Sequence, residues 1–190
     1  MKLPLTFCAL LLSVALIPTA KAVLIVNIIE VGNNVEVVAT GSVDLTGAPA
    51  PSGFNLSGAG VQDAAGDIVV SGSVLADAYF GIFTSPPGPL GTWGLTFANG
   101  GESGSALAVL SSTSTLVLPQ NYNSGEPINA SSTYLNHTVQ TLGLVPGSYP
   151  GTLVSGDTVT LNIVPEPSRT LLALGGLCIA LFVRRRSHKF

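Results

Sequence analysis

An all-β fold is what this sequence predicts, most naturally a single β-sandwich-like domain, with a flattened barrel as the alternative closure. Three observations point there. Glycine and proline are abundant, 22 and 13 in 190 residues, and they punctuate the chain at short intervals. Between them lie short runs in which apolar and polar residues alternate. Away from the two chain ends no stretch shows an apolar period of 3.6.

Residues 24–29 and 34–43 read as a hairpin about Val31-Gly32-Asn33-Asn34, a turn that tolerates positive φ. In its second arm Val35, Val37 and Ala39 alternate with Glu36, Val38 and Thr40. The extra valine suits a strand covered on both faces at one point. Residues 45–60 read as a Pro-, Gly- and Ser-rich loop, and residues 68–75 and 79–84 as strands. Ser85-Pro86-Pro87-Gly88-Pro89 suits neither regular structure and divides the body into two halves. In residues 92–98 the side chains of Trp93, Leu95 and Phe97 share one face, with Trp93 assigned to the core. Residues 99–105 form a glycine turn. Strands at 107–110, 115–118, 133–141 and 157–164 bring the total to about nine. In the last, Val159, Leu161 and Ile163 point inward and Thr158, Thr160 and Asn162 outward. No exact internal repeat is visible.

The two ends differ from this body. Lys2, an apolar run over residues 3–17 and the small residues Ala20 and Ala22 around Lys21 have the layout of a secretory signal peptide. Residues 1–22 are the expected signal, cleaved after Ala22, and Val23 begins the mature chain. At the other end Val164-Pro165-Glu166-Pro167-Ser168 precedes an uncharged run over residues 171–183, followed by Arg184-Arg185-Arg186. As a helix that run would cover about 20 Å, against a bilayer core of about 30 Å. It is short for a permanent anchor. The arginines would stay in the cytoplasm and leave the body outside, while Pro165 and Pro167 hold the joint extended and open to a protease. A transient apolar tail that is later removed follows the same logic as other processed anchors.

These residues, with the Gly175-Gly176 pair inside the run, resemble the PEP-CTERM sorting signal of Gram-negative bacteria over residues 164–190, with a transmembrane helix at 170–183. The resemblance implies an exosortase as processing partner: a membrane cysteine protease that cleaves near the motif and releases or transfers the protein. It implies an inner-membrane intermediate, then residence at the cell surface or in the extracellular matrix. The body, residues 23–163, is similar to a family of exported proteins that commonly carry this tail. The carrying residues are Ile28-Ile29-Glu30-Val31-Gly32, Val37 to Ser42, Leu118-Pro119, Tyr122, Ser124-Gly125, Pro127 and Leu142 to Tyr149. Relatives often have a tryptophan-bearing strand after the last tyrosine. Here Pro150-Gly151-Thr152-Leu153 stands in its place, which argues against a strand there. That resemblance implies export and surface residence and no activity.

Charge narrows the function classes. The seven basic residues are Lys2, Lys21, Arg169, Arg184, Arg185, Arg186 and Lys189, so the body has acids and neither Lys nor Arg. Phosphate backbones are gripped by Lys and Arg, so nucleic acid is excluded as a partner, and anionic lipid is a poor surface for such a body. Charged residues make up 9% of the chain, against about a quarter in typical domains. Cys8 and Cys178 lie in the two end segments, leaving the body without thiol or disulfide chemistry.

Catalytic constellations are thin. His137 is the body's one histidine, and no G-x-S-x-G elbow accompanies it. One His without Cys cannot make a zinc site. Asp63-Ala64-Ala65-Gly66-Asp67 puts two carboxylates in one turn but lacks the spacing and closing Glu of a calcium loop, so it reads as a solvated turn. No two of the ten acids stand out as a glycosidase pair. Asn55, Asn129 and Asn136 open glycan sequons of low specificity. The sequence thus implies no catalytic residue, metal or cofactor. It reads as a structural or adhesive surface component, with exopolysaccharide as candidate partner. The alternative is a carbohydrate-binding module or carbohydrate-active enzyme, which would need a concave face with aromatic platforms drawn from Trp93, Tyr79, Tyr122, Tyr134 and Tyr149.

Overall fold

A computed structural model of the protein describes residues 21–72, 75–92 and 94–166. Most of the expected signal peptide, Ala20 included, lies outside the described residues, as do Trp93 and the tail from Pro167 onward with Ser168, Arg184, Arg185 and Arg186.

The chain is all-β and builds two seven-stranded sheets. The hairpin is present: β1 (Val23–Val31) and β2 (Asn34–Gly41) pair antiparallel from Leu24↔Gly41 to Val31↔Asn34. Gly32 opens its two-residue turn at φ +62, a conformation that a residue without Cβ adopts freely. Val35, Val37 and Ala39 are buried and Val38 half-buried, as the alternation predicts.

The next four strands belong to the second sheet: β3 (Ser52–Asn55), β4 (Gly60–Gln62), β5 (Asp67–Ser71) and β6 (Leu75–Tyr79). β7 (Phe83–Ser85) returns to the first sheet, β8 (Leu95–Phe97) joins the second and β9 (Glu102–Gly104) the first. β10 (Leu107–Leu110) and β11 (Thr115–Pro119) lie in the second sheet. β12 (Ile128–Leu135), β13 (Gly147–Leu153) and β14 (Thr158–Val164) complete the first. The order is β7-β13-β14-β1-β2-β12-β9 in one sheet and β3-β6-β11-β10-β5-β4-β8 in the other. Each sheet draws strands from both sides of residues 85–89, so that segment does not divide the body into halves.

Several boundaries differ from the sequence reading for identifiable reasons. β3, β4 and β9 are three or four residues long and carry too little apolar alternation to be visible. Tyr79 ends β6 and does not begin a strand: Gly81 at φ +70 turns the chain toward the other sheet. Asn136 at φ +59 stops β12 at Leu135, so the expected strand over residues 133–141 is a strand end followed by turns. β13 runs straight through Pro150 and Gly151. Its outer neighbour β7 reaches only Thr152 and Leu153, so a proline at 150 removes no ladder bond on that edge.

The sheets face each other across one core. Leu24, Val26 and Ile28 of β1, Val159, Leu161 and Ile163 of β14, Ile68 and Val70 of β5, and Leu116 and Leu118 of β11 all bury completely or nearly so. Tyr79, Tyr122 and Tyr134 are core residues as well. The second sheet carries another apolar cluster on its far face: Leu56, Ala76, Ala78, Ala106, Ala108 and Val117.

That second cluster follows from chain length. β3 and β4 are separated by β6, β11, β10 and β5, five strand spacings, or about 24 Å in a flat sheet. The link between Asn55 and Gly60 can reach at most about 18 Å. The sheet must therefore curl, and the link crosses its hollow side as a strap. Gly58 of the strap lies on Gly72 at the end of β5, where a Cβ on Gly72 would stand 2.7 Å from the Gly58 nitrogen.

Two hairpins of this sheet have the same kind of turn. The single 3-10 turns Asp63–Ala65, joining β4 to β5, and Ser111–Thr113, joining β10 to β11, are closed by left-handed residues, Gly66 at φ 72 and Ser114 at φ 53. Asp67 ties them together: its carboxylate accepts from the Ser112 backbone N–H at 2.9 Å and the Ser112 hydroxyl at 2.6 Å.

Candidate functional site

The curl of the second sheet makes a groove. Its floor is the outward-facing Val69 and Leu110, its near wall Phe54 and Leu56, and its far wall Leu95 and Phe97. Asn55, Ser57, Gln62 and Asp67 supply polar atoms around it, and the hollow measures about 230 Å³. A second hollow, about 330 Å³, lies beyond Phe97 and is lined by Ser57, Gly58, Ala59, Ala98, Gly101 and Glu102. Phe97 lines both, so its ring is the ridge between them.

The position of Phe97 corrects the sequence reading. Residues 92–98 do alternate, but β8 is the edge strand and pairs only with β4, Gly60 opposite Phe97 and Gln62 opposite Leu95. That register turns both apolar side chains away from the central core, and they stay 60% and 55% exposed. Alternation specifies a face, and in a sheet with apolar residues on both sides it does not say which face is the core. The ring of Phe97 rests beside Gly60, where a Cβ would lie 3.2 Å from its Cδ1. Glycine in the paired strand is what seats the ring.

Asp63 and Asp67 flank the turn that enters this region, and the structure gives them different surroundings. Asp63 is fully buried, not solvated. Its backbone carbonyl accepts from Gly66, Leu90 and Gly91 at 3.1, 2.8 and 3.2 Å. It thus fixes the segment after Pro89 against the turn. Asp67 is committed to Ser112 as described. The turn is a structural staple: the Asp67 carboxylate holds Ser112 and the Asp63 carbonyl holds the segment after Pro89.

His137 lies in the turn after β12, half-buried, with Nδ1 3.5 Å from the Thr141 hydroxyl. Among the described residues no group of three His, Cys, Asp or Glu side chains could hold a metal ion. No helix among them is long and apolar enough to cross a membrane. The tyrosines named as candidate platforms go elsewhere. Tyr79, Tyr122 and Tyr134 are interior, and burial raises the pKa of each. Tyr149 donates its hydroxyl to the Val145 carbonyl at 2.8 Å. Tyr122 ties the loop after β11 to the end of β2: its hydroxyl donates to the Glu126 carbonyl at 2.7 Å and accepts from Val43 N–H at 3.1 Å. Close by, hydrogen bonds from the Thr46 hydroxyl and backbone lower the pKa of Asp44.

Of the expected sorting motif, Val164, Pro165 and Glu166 are described. Val164 closes β14 opposite Ile29 of β1. The Glu166 carboxylate accepts a short hydrogen bond from the backbone N–H of Gly32, in the β1–β2 turn. Ala22 directly precedes β1, at the far end of the same strand.

The groove offers apolar walls, one exposed aromatic ring and a polar rim without a cation. Such a surface suits the apolar or ring face of a neutral ligand. Sequence reasoning missed Phe54, Leu56, Leu95 and Phe97 as a group; the only signal was the pair Leu95 and Phe97 in alternation. Comparison with protein-family models, with curated proteins and with solved structures finds no match to this chain.

Proposed function

We propose that the chain is an exported protein, sorted through its C-terminal tail to the cell surface or extracellular matrix, where the β-sandwich-like body acts as a structural or adhesive component associated with exopolysaccharide. The observation that carries this reading is the tail: a Pro-Glu-Pro motif, an apolar run too short for a stable span and an arginine cluster, in that order. The fold is compatible with it. β14 ends at Val164, the first residue of the motif, so removing the chain beyond the motif takes no residue from a described strand. An exosortase would be the processing partner, with membrane contact confined to the intermediate. The test is the mass of the mature protein recovered from cells that contain such a protease. The expected form begins at Val23 and lacks residues 171–190. Surface protein that keeps those residues overturns the reading.

The groove favours a second reading, a carbohydrate-binding module. Phe97 stands exposed on a concave face, as a stacking platform for a sugar ring would. A glycan array probed with the exported protein and with Phe97→Ala tests it: a saccharide bound by the first and lost by the second supports recognition at this groove.

A further inference from the structure

β1 and β14 lie side by side in the first sheet, parallel, in register from Val23↔Thr158 to Ile29↔Val164. β14 is an interior strand, held on its other flank by β13 from Gly147↔Ile163 to Thr152↔Thr158. β1 is likewise held on its far flank by β2. The body is therefore entered at one end of this ladder, at Val23, and left at the opposite end, at Val164.

That arrangement has a mechanical consequence. Tension between Val23 and Val164 runs along both strands in opposite directions and loads every pair of the ladder together. Nothing yields until the whole set gives way. The same bonds pulled apart from one end would open one after another. The inward side chains of the two strands, Leu24, Val26, Ile28, Val159, Leu161 and Ile163, are all buried, so sliding also drags them through the core. On the outer face a chain of side-chain bonds crosses the strands. Asn162 Nδ2 donates to Asn27 Oδ1 at 3.1 Å, and the Ser148 hydroxyl donates to Asn162 Oδ1 at 2.8 Å.

We propose that the β1–β14 pair is a mechanical clamp and that the body is a load-bearing module, built to stay folded when tension runs between its two ends, Val23 and Val164. Its use at a cell surface rests on the sorting reading above; the resistance itself does not.

The full chain supplies its own handles, since its two cysteines, Cys8 and Cys178, fall on either side of the body. Protein made without export, kept in mild detergent and tethered by DNA handles on these thiols is stretched in an optical trap. The comparison is Cys178→Ser with Ser155→Cys, handled at positions 8 and 155. Its load enters at Val23 and just before Thr158, the same end of the ladder. Equal denaturant midpoints establish that both forms are folded. The expected result is a rupture force several-fold higher for the native handles. Equal forces, or a higher force for the 8 and 155 pair, overturn the clamp. The readout does not involve export, so a tail that is never processed sinks the sorting reading and leaves the clamp standing.

Discussion

The backbone N–H of Gly32, in the turn between β1 and β2, donates to the carboxylate of Glu166. Glu166 is the one charged residue of the expected sorting motif, and only Pro165 separates it from the end of β14. The folded body thus holds the motif's acid against its own hairpin. A protease cleft that binds the motif in extended form must first take Glu166 from Gly32. In Glu166→Ala the Gly32 amide is expected to exchange with solvent faster, while the amides within the β1–β2 ladder keep their protection. Unchanged protection at Gly32 would contradict the contact.

The sequence displayed strands with clean alternation and concealed those without it. The β1–β2 hairpin and the inward set of β14 were legible because seven to nine residues of alternation leave one answer for the buried face. β3 offers a single apolar residue, Phe54, and owes its existence to pairing with β6. β13 was hidden by Pro150, which looks like a breaker until the end of β7 is located. The groove was hidden because its walls come from β3 and β8, at opposite edges of one sheet, and meet only because the strap makes that sheet curl. No local pattern encodes such a meeting.

The tyrosines make the body sensitive to alkali. Burial raises the pKa of Tyr79, Tyr122 and Tyr134 above the ordinary tyrosine value of 10.0, most of all for Tyr134. A raised folded value means that the stabilisation is fully present below the ordinary tyrosine pKa and is lost as pH rises through the folded values. With no Lys, Arg or Cys in the body, the side chains there that titrate in that window are tyrosines. Unfolding above pH 10 should therefore coincide with the rise of tyrosinate absorbance. Tyr134 Oη is also buried with no hydrogen bond of good geometry among the described residues, the Ser132 hydroxyl being the polar group beside it. Tyr134→Phe is expected to raise stability by about 1 kcal/mol and to move the alkaline transition upward. A loss of stability in denaturant titration would show that the hydroxyl is held by a contact after all.

Leu95 and Phe97 should be dispensable for folding. Both are more than half exposed on the edge strand β8, and neither belongs to the central core or the second cluster. The double change Leu95→Ser and Phe97→Ser is expected to alter stability by less than about 1 kcal/mol while reducing the binding of a hydrophobic dye to the native protein. A large fall in the denaturant midpoint would place these side chains in the fold's support and remove the groove as a free surface.

The strap is the sharpest test of the curled sheet, because two glycines in that sheet make opposite predictions. Gly72 and Gly58 pack backbone to backbone. A Cβ on Gly72 would come within 2.7 Å of the Gly58 nitrogen and 3.1 Å of its Cα. Neither atom belongs to a flexible side chain, so the strap itself must lift. Lifting it draws Leu56 away from Ala76, Ala106 and Val117 and opens the second apolar cluster to water. Gly72→Ala is therefore expected to destabilise by about 1–3 kcal/mol, the usual penalty for overpacking. Gly53, in β3 of the same sheet, has nothing within 4 Å of an added Cβ. Gly53→Ala should be neutral, or stabilising by about 0.5 kcal/mol through the lost freedom of the unfolded chain. Thermal denaturation of the two variants decides the matter. If Gly72→Ala is as benign as Gly53→Ala, the strap does not lie on β5, and neither the curl nor the groove that follows from it can stand.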